Sequence, residues 1–140
     1  MQFICKIEEL INPVSYLKKI IKNKNIPHPI VLMDGEMGAG KTSFVRAFVQ
    51  SLDKSINPNS PTFNLMNEYI TPEIIIYHFD LYRIKSPDEL EWLGFEEVWG
   101  REGISFIEWH ERAKDYFNGD EILVKMEYMD ENTRKVSFEN

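Results

Sequence analysis

Polar and apolar positions along the 140-residue chain switch repeatedly between two periods. Phe3, Cys5 and Ile7 alternate with polar neighbours, the mark of a short strand. Asn12-Pro13 then has the form of a helix entry, with Asn12 as N-cap and Pro13 at the first helical position. Leu10, Val14, Leu17 and Ile21 follow at helical spacing and make one apolar stripe. Lys18, Lys19, Lys22 and Lys24 fall mostly off that stripe and read as a solvated face. Ile30–Met33 is a continuous apolar run suited to a buried parallel strand. Phe44, Val45, Phe48, Val49 and Leu52 return to helical spacing, and residues 53–61 read as a loop. Phe63, Leu65 and Tyr69 alternate, as do positions in 74–80, and Thr71-Pro72-Glu73 between them predicts a hairpin. Ser86 and Glu89 have capping-box spacing and open a short helix. Ile104–Ile107 predicts another buried strand, and residues 110–117 a helix. Ile122, Val124, Met126 and Tyr128 alternate, 130–133 turns, and Val136 and Phe138 alternate again. No repeat or linker interrupts this order, so residues 1–140 read as one α/β domain. Its sheet should be mixed, because two hairpins accompany the buried strands.

Composition narrows the function classes. Sixteen Lys and Arg against 23 Asp and Glu give a formal charge of −7, which disfavours direct, tight nucleic-acid binding. The window from Asp88 to Glu111 holds eight acids and only Arg101 as a base, so the whole excess sits there. Such a window suits a solvated acidic surface or a basic partner. One cysteine, Cys5, excludes an internal disulfide and is read as core. No apolar run approaches the roughly 20 residues of a membrane span, and the N-terminus lacks a signal-peptide pattern. The expected location is cytoplasmic, with no membrane association. No His/Cys/carboxylate set has zinc-finger spacing. Trp92 and Trp99 are expected to pack the short helices onto the sheet, His78 to be packed or hydrogen-bonded in its strand, and His28 to lie on a surface loop.

The chemistry concentrates in Gly35-Glu36-Met37-Gly38-Ala39-Gly40-Lys41-Thr42, which satisfies G-x-x-x-x-G-K-[ST] between a buried strand and an amphipathic helix. Glycines let backbone N–H groups close on phosphate oxygens, and the helix N-terminus adds aligned donors. Lys41 would bridge the β- and γ-phosphates while the Thr42 hydroxyl ligates Mg²⁺. Such a loop needs a carboxylate on a neighbouring strand. Asp80 closes the run 74–79 and Glu108 closes 104–107, and either could hold the metal or orient water. An N-K-x-D base-reading motif after the loop is missing, which argues against a guanine-nucleotide switch. Five unclustered arginines give no sign of a small-molecule kinase's lid.

The segments Ser60-Pro61-Thr62-Phe63, His78-Phe79-Asp80-Leu81-Tyr82-Arg83 and Ile107-Glu108-Trp109, together with the glycine loop, resemble the TsaE (YjeE) family in order and spacing over residues 35–112. The resemblance implies a three-layer P-loop NTPase-like fold, with helices flanking a mixed, largely parallel sheet. It implies an ATPase of low intrinsic activity with ATP and Mg²⁺ as cofactors. It also implies action with TsaB and TsaD to install N6-threonylcarbamoyl on adenosine 37 of tRNAs reading ANN codons. Hydrolysis would reset that complex, and tRNA would be met only through the partners; the free chain is expected to be a monomer. By the same resemblance Gly35–Ser43, including Glu36, Met37, Ala39 and Ser43, bind nucleotide, and Ser60 and Thr62 form a switch facing the γ-phosphate. Asp80 is the Walker-B-like acid, Glu108 is tied to Mg²⁺ and Trp109 lies beside the nucleotide. His110 departs from the family pattern, where a small residue or proline is expected. Two alternatives remain at this level: a small-molecule P-loop kinase, and a nucleotide-dependent scaffold without turnover.

Overall fold

The computed structural model describes residues 1–58 and 65–139. Among the described residues seven strands form one sheet: β1 (Gln2–Lys6), β2 (Ile30–Asp34), β3 (Met66–Ile70), β4 (Ile75–Asp80), β5 (Ile104–Glu108), β6 (Ile122–Tyr128) and β7 (Thr133–Glu139). Their order across the sheet is β1-β7-β6-β2-β5-β4-β3. The middle four, β6, β2, β5 and β4, run parallel, while β3 and the β7–β1 pair add antiparallel edges. The run Ile30–Met33 is fully apolar because β2 sits at the centre, buried on both faces.

Pleating sorts the side chains into two cores. Val31 and Met33, Ile76, Ile104 and Phe106 face α1 (Ile11–Lys24) and α2 (Lys41–Leu52). Leu32, Tyr77, Phe79 and Ile107 face the opposite layer, built from α3 (Pro87–Leu93) and two short 3₁₀ stretches, Phe95–Glu97 and His110–Tyr116. The first core is tightly keyed: Phe48 of α2 meets Phe106 of β5 edge-on at 5.0 Å. Truncating such a buried ring costs about 3–5 kcal/mol. No helix among the described residues is long and apolar enough to cross a membrane.

Helix ends differ from the sequence expectation in instructive ways. Helix α1 starts at Ile11 with Leu10 as N-cap, two residues before the predicted Asn12 cap, and no side chain caps it. Leu10 is buried and its carbonyl accepts the Val14 N–H at 3.0 Å. Burying Leu10, Val14 and Leu17 outweighs the roughly 1 kcal/mol of a polar cap, and Pro13 is tolerated in the first turn. Ser86 does precede α3, but Glu89 accepts the Lys85 N–H at 3.2 Å, so the box is displaced by one residue. The segment 110–117 is 3₁₀ rather than α, broken at the buried Ala113. Trp99 packs on Phe79, Tyr116 and Phe117 as expected. Trp92 does not pack: it is 91% exposed on the outer face of α3.

Candidate functional site

The site grows from the junction of β2 and α2. Gly38 and Gly40 hold φ of 84° and 104°, conformations that a Cβ would strain, and so the loop curls back onto the first turn of α2. Lys41, only 6% exposed, donates from Nζ to the Gly35 carbonyl at 2.6 Å, spanning the loop it belongs to. Its ammonium also lies 5.0 Å from the centre of the Trp109 ring. Trp109 itself sits at φ 57°, a left-handed conformation unfavourable for a bulky residue. Tyr82 packs on its ring at 4.9 Å.

Strand periodicity then assembles the acids. Asp80 and Glu108 are register partners across β4 and β5, and both fall on the face that carries α2. Glu108 is 5% exposed and its Oε2 accepts the Thr42 hydroxyl at 3.3 Å. The same oxygen lies 2.5 Å from Nε2 of His78, which is wholly buried; the acceptor partner assigns the proton to Nε2. Burial pushes the Asp80 carboxyl above its ordinary range, and the Glu108 carboxylate adds to the rise, against the Tyr82 N–H, which bonds Oδ1 at 3.0 Å. Thr42 and Glu108 thus offer adjacent oxygen donors of the kind a hard divalent cation takes.

A cleft of about 380 Å³ opens over these groups. Met37, Gly38, Gly40, Lys41, Thr42 and Ser43 line it from the loop side, and Asp80, Glu108 and Trp109 from the sheet edge. Gly35 and Glu36 line an adjoining cleft instead, and Ala39 is buried beneath the loop. Ser60 and Thr62 lie outside the described residues. Arg83 is exposed and does not line the cleft.

Three lining or supporting residues carry more than their sequence reading suggested. His78 is the buried partner of Glu108; its place two residues before Asp80 already put it on the same strand face. Tyr82 buttresses Trp109. Arg134, buried on β7, donates from Nε to the Ala39 carbonyl at 3.0 Å and ties the loop to the β6–β7 hairpin. The alternation Val136, Phe138 extends back to position 134, so an inward arginine was readable there.

Fold and site together define an α/β protein built around a strand, a glycine-rich loop and a helix, with a carboxylate at the end of the neighbouring parallel strand. The model of the family "Threonylcarbamoyl adenosine biosynthesis protein TsaE" matches residues 6–136. A TsaE protein of Rickettsia prowazekii is 46% identical over 113 residues, spanning 80% of this chain and 78% of that protein. One from Aquifex aeolicus is 42% identical over 110 residues, 76% and 74% of the two chains. The chain belongs to the TsaE family, whose place is in the biosynthesis of threonylcarbamoyladenosine in tRNA. The crystal structure of Bacillus subtilis YdiB has the same fold, with a TM-score of 0.68, 20% identity and coverage of 99% of this chain and 84% of that one.

Proposed function

We propose that this chain is the ATP-binding and ATP-hydrolysing subunit of the tRNA threonylcarbamoyladenosine pathway. It would act with TsaB and TsaD homologues and reset their complex between rounds, meeting tRNA only through them. The observation that carries the reading is that Lys41, bonded across the glycine loop to Gly35, lines one cleft with the hydrogen-bonded Thr42–Glu108 pair. When bound, Mg²⁺ would supply charge neutralisation at the β- and γ-phosphates, held by Thr42 and Glu108.

The chain's own groups do the rest. Lys41 exchanges its bond to the Gly35 carbonyl for phosphate oxygens, a charge-assisted replacement. The N–H groups at the start of α2 cradle the same oxygens. His78 fixes the rotamer of Glu108 from below, so the carboxylate stays aimed at Thr42. Asp80, beside them with a raised proton affinity, is placed to orient water and take up a proton from it. Arg134 lines the cleft, but Nε and Nη1 are bonded to the carbonyls of Ala39, Asp130 and Thr133, and Nη2 reaches the Gly38 carbonyl at 3.4 Å. Tied to the loop and the hairpin in this way, it is not a mobile finger free to advance on the γ-phosphate, so slow turnover is expected until a partner contributes a cation.

The test is ATP binding followed by single-turnover hydrolysis. Lys41→Ala should lose binding, while Glu108→Gln should keep binding and lose hydrolysis. In cells depleted of the native copy, wild type should restore threonylcarbamoyladenosine and Glu108→Gln should not. Phosphate transfer to a small acceptor would favour a kinase, and full restoration by Glu108→Gln a scaffold.

A further inference from the structure

A second group of ligating side chains lies on the other side of Trp109. Asp34 closes β2, and His110 and Glu111 follow Trp109; the oxygen or nitrogen atoms that the three offer lie within 4.8 Å of one another. By strand parity Asp34 falls with Leu32 on the face of the second core, away from Thr42. His110 opens the 3₁₀ stretch whose Ala113 packs into that core. Nε2 of His110 is buried and has no hydrogen-bond partner, an expensive state for an imidazole nitrogen. It sits 3.4 Å from Oε1 of Glu111. Donors on a tetrahedral ion with bonds near 2.0–2.1 Å are about 3.3 Å apart, so this pair already has that spacing. A cleft of about 630 Å³, lined by Asp34, Glu111, Glu127 and Trp109, gives an entry path.

We propose that Asp34, His110 and Glu111 form a site for one first-row divalent transition ion, separate from the Thr42–Glu108 pair. One imidazole and two carboxylates suit Zn²⁺ and its neighbours rather than Mg²⁺, which takes oxygen donors in an octahedron. The two carboxylates balance the ion's charge, and the ion gives the buried His110 Nε2 a bond that its 3.4 Å approach to Glu111 does not make. Bound there, it ties the end of β2, immediately before Gly35, to the segment that follows Glu108 and Trp109. Linear spacing conceals the set, since Asp34 comes from a distant strand.

The test uses the untagged full chain without nucleotide. Zn²⁺ is titrated by calorimetry in excess Mg²⁺, and Co²⁺ is followed through its visible ligand-field bands. The site predicts one equivalent bound at micromolar free Zn²⁺, and Co²⁺ bands stronger than those of the aqua ion. Asp34→Asn, His110→Ala and Glu111→Gln should each weaken binding by about tenfold or more, while Glu108→Gln leaves it unchanged. Glu111 is exposed, so its variant reports binding even if another variant folds poorly. No binding in that range, binding unaffected by these three variants, or loss in Glu108→Gln would each overturn the proposal.

Discussion

Replacing His78 by Leu isolates the support beneath Glu108. The substitution removes the 2.5 Å contact to Oε2 and leaves a 5%-exposed carboxylate with Thr42 as its remaining partner in the cleft. Stranding a buried charge costs about 3–5 kcal/mol. Part is returned, because Nδ1 of His78 is buried without a partner and disappears too, a relief of about 1–3 kcal/mol. A net loss of about 2 kcal/mol follows, or roughly 6–8 °C in Tm for a domain of this size. Turnover should fall about 10–100-fold, since Glu108 loses its orientation, while ATP affinity changes by less than about threefold. His78→Gln, which returns an N–H donor, should recover part of both losses. Scanning calorimetry and single-turnover kinetics read the two effects, and a double-mutant cycle with Glu108→Gln separates the pair from the rest. Wild-type Tm and turnover in His78→Leu would refute the reasoning, as would a His78 effect of full size on a Glu108→Gln background.

Other expectations follow from the same geometry. The raised Asp80 pKa makes its charged form costly in the fold, so that contribution is fully favourable below the unfolded pKa and is lost as pH rises through the folded one. Asp80→Asn should therefore be more stable than wild type at pH 7, with the gap closing towards about pH 3–4, and should hydrolyse ATP more slowly; pH-dependent melts and turnover check both. Gly103 has φ 46° and a Cβ there would collide with the Ile75 carbonyl oxygen, so Gly103→Ala should cost about 3 kcal/mol in urea unfolding. Trp92→Ala should leave stability within about 0.5 kcal/mol of wild type, because the ring is 91% exposed.

The strand–loop–helix unit was legible because two periods flank a glycine pattern with one physical purpose. Both acids were legible too, as the polar residues that end the buried runs of β4 and β5. Their pairing on one face needed only the register Asp80–Glu108. Local propensity was least reliable where packing competed with it. Asn12 is a better cap than Leu10 by polarity, yet Leu10 fills the core and sets the end of α1. Trp92 looked like core from its size, but α3 turns Leu90 inward instead. The roles of Arg134 and of the Asp34–His110–Glu111 group arise from contacts between distant segments, which no window of sequence displays.

Steady-state ADP release by the purified chain, alone and with its TsaB and TsaD homologues, tests the central claim most directly. The account predicts slow release by the isolated chain, clear stimulation by the partner pair, and loss of both signals in Lys41→Ala. Fast turnover that the partners leave unchanged, or release that survives Lys41→Ala, would contradict it.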